Sequence, residues 1–317
     1  MTPVEQLVTD YPHGVCAIDT EYERPRLDAS HLIVHRGRAA FVDTGANNAV
    51  PGLLAALAAK GLAPEQVDYI FLTHVHLDHA GGAGLLVRHL PDATVIVHPR
   101  GLRHLADPAK LIAGTIAVYG EEGYRRLYGE LYPIPEARLR AAQDGERFLL
   151  GGRPLETLHT PGHALHHYCL HDVEARAIFT GDTFGISYRE TDTAAGPFIF
   201  PTTTPVQFDP PALHASIDRL LALQSEAMYL THYSRVGDVQ KLGRDLHARI
   251  DGTVALAQRL RAPGPGRTAA METALFDYLC KELDAHGNTQ GAEERLAILG
   301  GDVRLNVQGL EVWLDKK

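Results

Sequence analysis

The feature that most constrains this chain is the sequence His-Val-His-Leu-Asp-His at residues 74–79, which directly follows the apolar run 69–73. Burying three imidazoles and a carboxylate without partners would cost several kcal/mol each. A metal ion is the partner that would offset this cost, whereas the alternative is a solvated, histidine-rich loop. A buried strand that stops at His74 would carry the loop to one rim of a sheet, and Gly81 and Gly82 allow a tight turn into the next helix.

Three other apolar runs are also followed by side chains that bind metals. His163 follows the predicted strand 155–159 through a Pro-Gly turn, Asp182 follows the predicted strand 177–180 through a glycine, and His232 follows the apolar segment beginning at Met228. Each of these residues taken singly would more often be structural. The recurrence at four strand ends predicts a metal site.

Composition limits the classes of function. The chain has 317 residues, of which 45% are hydrophobic and 22% are charged, so a sizeable core is expected. The net charge of -9 argues against nucleic-acid binding, because phosphate recognition needs a basic surface. A small anionic substrate held by metal ions is compatible with that charge.

Cysteine usage and the apolar runs bear on the compartment. Cys16, Cys169 and Cys280 are widely separated and form neither a disulfide framework nor a Cys-x-x-Cys metal clip. The first ten residues lack the basic start and apolar block of a secretory signal. No apolar run approaches the roughly 18 residues of a membrane span. We therefore expect a cytoplasmic protein with no membrane partner.

The chain divides into two parts at residue 236. Residues 1–236 alternate strand and helix signals, whereas residues 237–317 carry only helical ones and predict a C-terminal helical module. Thr268 and Asp302 are candidate N-caps of two helices in this module. The apolar stripes of such short helices must be buried, either on the main domain or on a second subunit in a homodimer.

Several segments keep two interpretations. The tyrosines of residues 101–142 recur at helical spacing, which is typical of a core face, yet an insertion of this size could also form a pocket wall. The loop 187–209 is either a specificity loop or a surface connection. His98 is interpreted as a strand-end residue with a structural hydrogen bond. The additional histidines near His163 are interpreted as structural or as supports for ligands: His159, His166 and His167.

Taken together, these residues resemble the metallo-β-lactamase-fold hydrolase superfamily. The resemblance covers residues 15–235 and rests on five marks, which are Asp-Thr-Gly at 43–45, the loop 74–79, His163, Gly-Asp at 181–182 and His232. The appended helices are most similar to bacterial and archaeal members of the glyoxalase II-like branch. The resemblance implies a mixed α/β (α+β) fold, namely a four-layer αββα sandwich followed by the helical module.

The resemblance also implies a dinuclear ligand set. His74, His76 and His163 would hold the first metal, Asp78, His79 and His232 the second, and Asp182 would bridge them. Asp43 would brace the ligand loop without binding metal. Asp78 would also be the catalytic residue that relays a proton to the leaving group.

Imidazole and carboxylate ligands without thiolate suit two divalent ions, zinc in the first place, with iron or manganese as alternatives. Two such ions can share a hydroxide that is a nucleophile at neutral pH. We therefore expect hydrolysis of a small, anionic ester, thioester or lactone. Four residues that follow the ligands are candidates for binding this substrate, although a surface ion pair is the alternative for each arginine: Tyr188, Arg189, Tyr233 and Arg235.

Two other classes of function stay open. The first is a mononuclear iron enzyme that resembles the persulfide dioxygenases, which share the fold and much of the ligand pattern. The second is a non-catalytic protein that binds a metal or a ligand. β-Lactamase activity is disfavoured by the lack of secretion features, and RNA processing is disfavoured by the acidity.

Overall fold

We describe the protein from a computed structural model, which covers residues 2–203 and 207–316. Within these residues, thirteen strands form two sheets. The first sheet contains β1 (Val8–Tyr11), β2 (Val15–Asp19), β3 (Ala29–His35), β4 (Arg38–Val42), β5 (Val67–Leu72), β6 (Thr94–Val97) and β7 (Leu139–Ala141). The second contains β8 (Arg147–Leu150), β9 (Arg153–His159), β10 (Tyr168–Asp172), β11 (Ala177–Gly181), β12 (Ala227–Leu230) and β13 (Ser234–Val236).

The α-helices of the same residues vary from single turns to seven turns in length. They are α1 (Val4–Leu7), α2 (Val50–Ala59), α3 (Leu77–Ala80), α4 (Ala83–His89), α5 (Leu102–Ala106), α6 (Ala109–Leu127), α7 (Pro210–Ala222), α8 (Val239–Arg259), α9 (Arg267–Ala285) and α10 (Ala292–Asp315). In the part of the chain that is covered, none of them is both long enough and apolar enough to cross a lipid bilayer.

Strand direction brings the polar loops to one edge of the sandwich. In the first sheet, β4 to β7 are mutually parallel, so the ends of β4 and β5 lead Asp43 and His74 to the same rim. In the second sheet, β11 and β12 are parallel, and β9 runs in the same direction because it is separated from β11 by the antiparallel β10. Three strand ends of the second sheet therefore point to the rim as well.

The hydrophobic core explains the layer order. Buried side chains of both sheets, including Ile33, Phe71, Phe148 and Phe179, pack against each other between the sheets. The outer face of the first sheet packs on α2 and α4, and the outer face of the second packs on α7 and α8. The predicted four-layer αββα sandwich is thereby confirmed.

The C-terminal helices extend the outer layer of the second sheet. One continuous cluster of buried residues joins Ile217 of α7 to Leu246 of α8, Leu275 of α9 and Leu310 of α10. The module therefore packs on the main domain, which was one of the two interpretations of its apolar stripes. The domain boundary at residue 236 and a homodimer stay predictions.

Local expectations were wrong at three points in the structure. Residues 139–141 form β7, which pairs with β6, although this stretch was expected to be helical. Thr268 lies inside α9, where its hydroxyl donates to Glu311 over 3.0 Å instead of capping the helix. Asp302 lies in the middle of α10, where its carboxylate accepts a hydrogen bond from the Tyr188 hydroxyl at 3.1 Å. Each error comes from a partner that is distant in sequence.

A buried ion pair secures the β9–β10 hairpin. The Nε of Arg153 donates to Oδ1 of Asp172 over 2.9 Å, and both side chains are at most 1% exposed. We expect Asp172→Ala to lower the free energy of unfolding by about 3–5 kcal/mol, because it leaves a buried guanidinium uncompensated. Denaturant unfolding measures this, with Glu226→Ala as control, since the Glu226–Arg176 pair is exposed. Equal effects of the two substitutions would contradict this role.

Candidate metal centre

Seven side chains from four strand ends converge at the rim of the sandwich. The structure forms two groups in which one potential ligand atom per residue lies within 4.8 Å of the others. His74, His76, His163 and Asp182 make up the first group, and Asp78, His79 and His232 make up the second. The seven residues singled out in the sequence therefore meet in space, although their binding of metal stays a prediction.

Asp182 lies between the two groups. Its Oδ2 is 3.3 Å from Nε2 of His163 and 4.0 Å from Nε2 of His74. Its Oδ1 is 3.3 Å from Nε2 of His79 and 3.6 Å from Nε2 of His232. The two oxygens of one carboxylate thus face two different sets of imidazoles.

The chemistry of these side chains fits divalent cations. His79 Nε2 and Asp182 Oδ1 are buried and make no hydrogen bond in the structure, which is uncommon for buried polar atoms. A cation between them would satisfy both atoms. The donor set consists of imidazole nitrogens and carboxylate oxygens, which suits transition metals such as zinc, iron and manganese.

Protonation states separate the two groups. Burial lowers the pKa of His76 to about 3 and holds that of His74 well below its ordinary value, so both rings are neutral, which is the form that binds metals. Burial also disfavours the charged form of His232, but the carboxylates of Asp182 and Asp78 outweigh it and raise the pKa to about 10. The second group therefore attracts positive charge strongly, and a cation would satisfy that attraction in place of a proton.

Asp43 braces the second group from beneath. Its backbone is left-handed, with φ 56°, and its carboxylate accepts hydrogen bonds from Thr73, which follows β5, and from the Thr231 hydroxyl at 2.9 Å. The same carboxylate lies 2.8 Å from Nδ1 of His79. Because a carboxylate accepts this hydrogen bond, the proton of His79 is held on Nδ1 and Nε2 is left to face Asp182.

His167 holds Asp182 in place through the main chain. The Asp182 N–H donates to Nε2 of His167 over 3.2 Å, while Nδ1 of the ring lies 2.9 Å from the Thr160 hydroxyl. Gly181 makes this approach feasible, because its φ is 47° and a Cβ there would lie 2.6 Å from the ring nitrogen. His167 thus supports a potential ligand, in line with its interpretation from the sequence.

The other histidines near the site lie outside both groups. His98 accepts a hydrogen bond from the Arg100 N–H at 3.1 Å, and His159 lies 2.9 Å from the Ala142 carbonyl. The rings of His98 and His159 pack with centroids 4.2 Å apart. His166 lines the cavity described next.

A cavity of about 540 Å³ opens above the two groups. Asp78, Asp182 and His232 form part of its floor. Its walls come from α6, which belongs to the segment 101–142, and from α10 of the C-terminal module. The segment 101–142 therefore does line a pocket. The loop 187–209 contributes Tyr188, while residues 204–206 of that loop lie outside the described part of the chain.

The four residues predicted to bind substrate do not all lie at the cavity. Tyr188 is buried and lines the cavity. Arg189 donates to the Ser187 carbonyl over 2.7 Å and pairs with Asp192. Within the described residues, Arg189, Tyr233 and Arg235 are not part of the cavity lining. Sequence reasoning missed Tyr22, Asp302 and Arg304, which do line it and follow no strand with a recognised ligand.

The comparison with protein families agrees with this site. The family model described as the metallo-beta-lactamase superfamily matches residues 25–232, a range that contains all seven side chains. The chain belongs to the metallo-β-lactamase superfamily. The resemblance expected from the sequence is confirmed, and superfamily membership together with the His/Asp cluster supports a metal-dependent hydrolase.

Relatives within the superfamily carry several names. A hydroxyacylglutathione hydrolase of Aeromonas hydrophila is 30% identical over 240 residues, or 74% of this chain and 72% of that protein. The acyl-coenzyme A thioesterase MBLAC2 of Gallus gallus is 31% identical over 122 residues, or 35% of this chain and 39% of that protein. The solved structure of ST1585 from Sulfolobus tokodaii aligns with 95% of this chain and with 99% of its own chain, with a TM-score of 0.66 and 22% sequence identity. This similarity supports the fold alone.

The position of Asp182 makes its substitution the most direct test of the metal centre. We expect the wild-type protein to bind two ions per chain and Asp182→Ala to lose metal at both groups, because one carboxylate serves both. Elemental analysis of the purified proteins measures the bound metal. Asp218→Ala, which removes an exposed carboxylate on α7, is the matched control. Retention of two tightly bound ions by Asp182→Ala would refute the bridging role.

A second prediction concerns Asp43. Asp43→Asn replaces an acceptor with an amide that favours the other His79 tautomer, in which Nε2 carries the proton and cannot bind a metal. We expect metal affinity at the second group to fall about 10- to 100-fold, with the first group unaffected. Titration against a competing chelator resolves the two affinities. Thr231→Val, which removes only one donor to Asp43, should have the smaller effect, and the reverse order would contradict the tautomer argument.

Proposed function

We propose that the protein is a dinuclear metal-dependent hydrolase that cleaves a small ester, thioester or lactone bond. The observation that carries this proposal is that the two oxygens of Asp182 face separate sets of imidazoles. His74, His76 and His163 would hold one ion, and Asp78, His79 and His232 the other, with Asp182 between them. When bound, the two ions would supply a shared hydroxide with a pKa near 7 as nucleophile and would polarise the acyl oxygen.

Asp78 has the exposure that a proton relay needs. Its side chain is 23% exposed, whereas that of Asp182 is 5% exposed, and Asp78 borders the cavity. The proton of the hydroxyl group that has been added to the acyl carbon can pass through the Asp78 carboxylate to the leaving oxygen or sulfur as the bond to the leaving atom breaks. Asp182 also reaches the cavity floor, but it is less exposed and both of its oxygens face imidazoles, which supports assigning the catalytic role to Asp78.

We propose zinc as the metal, with iron or manganese as alternatives, because the ligand set combines imidazole with carboxylate and lacks thiolate. We also propose a reducing, cytoplasmic setting. The three cysteines are free thiols, and Cys16 and Cys169 are buried.

The cavity supports a substrate that is partly apolar and carries an anionic group. Leu111 and Val118 of α6 and Leu305 of α10 line its walls. Lys110 and Arg304 also line it, both are exposed, and neither has an ion-pair partner within the described residues. The chain as a whole is acidic, so two unpaired basic side chains at the cavity favour an anionic ligand there. A relative named as an acyl-coenzyme A thioesterase supports a thioester.

The proposed function is tested by assaying the fully metallated protein against a panel of alkyl esters, aryl esters, thioesters, lactones and a phosphodiester. We expect turnover of at least one acyl substrate, and we expect Asp182→Ala to lose that turnover by at least about 10³-fold, because the nucleophile depends on both ions. Asp218→Ala is again the control. A metallated protein that is inert to every acyl substrate would contradict the proposal. So would a single bound iron with oxygen consumption on glutathione persulfide.

A further inference from the structure

Three tyrosines meet beside Asp78 in the wall of the cavity, and we call them the tyrosine cluster. Tyr22 comes from the segment after β2, Tyr119 from α6 and Tyr128 from the residue that follows α6. The hydroxyls of Tyr22 and Tyr128 are 2.6 Å apart, and the Tyr119 and Tyr128 ring centroids are 5.8 Å apart. Three separate positions in the chain thus place phenol rings in the wall of the cavity that Asp78, a potential metal ligand, also lines.

Their hydroxyl groups distinguish these rings from ordinary core packing. Tyr22 and Tyr128 are only 6% and 3% exposed, and phenylalanine would fill the same space. Tyr124 is also buried and packs against the same rings, with its centroid 6.1 Å from that of Tyr128, yet it does not line the cavity. The rings that line the cavity are therefore only part of this group of packed rings.

A count of protons leaves a donor available. The hydroxyls of Tyr22 and Tyr128 share one hydrogen bond, and the Tyr119 hydroxyl lies in hydrogen-bond contact with both. A chain of three hydroxyls uses two of its three protons. A phenol ordinarily has a pKa of about 10, and burial, which disfavours the phenolate, raises the pKa of Tyr22 and Tyr128 above it, so both keep their protons at neutral pH. The third proton of the tyrosine cluster can therefore be donated to an acceptor in the cavity that Asp78 also lines.

We propose that the tyrosine cluster donates a hydrogen bond to the leaving oxygen or sulfur of the substrate as its bond to the acyl carbon breaks. The inference rests on the proposed hydrolase function. Hydroxide adds to the acyl carbon, the bond to the leaving atom breaks, and the proton of the new carboxylic acid passes through Asp78 to the leaving atom. The tyrosines keep their protons throughout and stabilise the charge that develops on that atom.

This assignment predicts a dependence on the leaving group that a structural role would not produce. We compare wild type with Tyr22→Phe and Tyr128→Phe on a series of acetate esters from p-nitrophenyl acetate to alkyl acetates. The variants should lose about 10- to 100-fold in kcat/KM on alkyl esters, whose leaving alkoxide needs stabilisation. They should lose less than about threefold on p-nitrophenyl acetate, whose leaving group is already stable. Tyr124→Phe is the matched control and should leave the trend unchanged.

Metal content and the melting temperature of each variant are measured on the same samples. Metal content should match wild type, whereas loss of the buried Tyr22–Tyr128 hydrogen bond should lower the melting temperature slightly without altering the order of the esters. A loss that is equal across the ester series, or no loss, in both variants would overturn the role of the tyrosine cluster. If wild type turns over thioesters only, the same comparison is made on thioacetates of aryl and alkyl thiols, and a wild-type protein that is inert to every acyl substrate of the panel would instead overturn the proposed function. The two failures are therefore distinguishable.

Discussion

The Asp43 carboxylate is buried between the two sheets, and the metal centre depends on how it is satisfied. A buried carboxylate needs several donors, and Asp43 takes them from Thr73 after β5, from Thr231 after β12 and from His79 in the ligand loop. Thr73 and Thr231 follow strands of different sheets, so the hydrogen bonds link the halves of the sandwich at the rim. The same contacts orient His79 toward Asp182. Cohesion of the fold and orientation of the ligand therefore depend on the same interactions.

The convergence of the ligands could be predicted from local patterns in the sequence, whereas the four layers were expected from the family resemblance that these residues carry. Apolar strands that end in histidine or aspartate indicate one rim wherever strands run in the same direction, and the structure has this arrangement at His163, Asp182 and His232. The short strands β7 and β13 were not predicted, because segments of three residues carry little periodicity. Tyr22 was overlooked for a related reason, since its significance comes from Tyr128, which is more than one hundred positions away.

Asp302 illustrates most clearly what local sequence patterns cannot predict. An acidic residue before an apolar stripe is typical of a helix N-cap, and this pattern suggested a helix that begins there. In the structure, α10 begins ten residues earlier, at Ala292, and the Asp302 carboxylate instead accepts a hydrogen bond from the Tyr188 hydroxyl. A local pattern cannot distinguish a helix cap from a carboxylate that accepts a hydrogen bond from a residue far away in the sequence. Residues on the cavity wall are specified by such long-range partners, so the substrate is harder to derive than the metal ligands.

The position of α10 also has a consequence for how this protein could change during evolution. The helix provides one wall of the cavity, and its apolar residues belong to the same cluster as those of α7 and α8 beneath it. The C-terminal helices therefore share one core with the main domain and could not be exchanged for another module without disrupting that core. A new substrate preference would have to arise by point substitutions on the cavity side of α10, while its opposite side remains committed to the core.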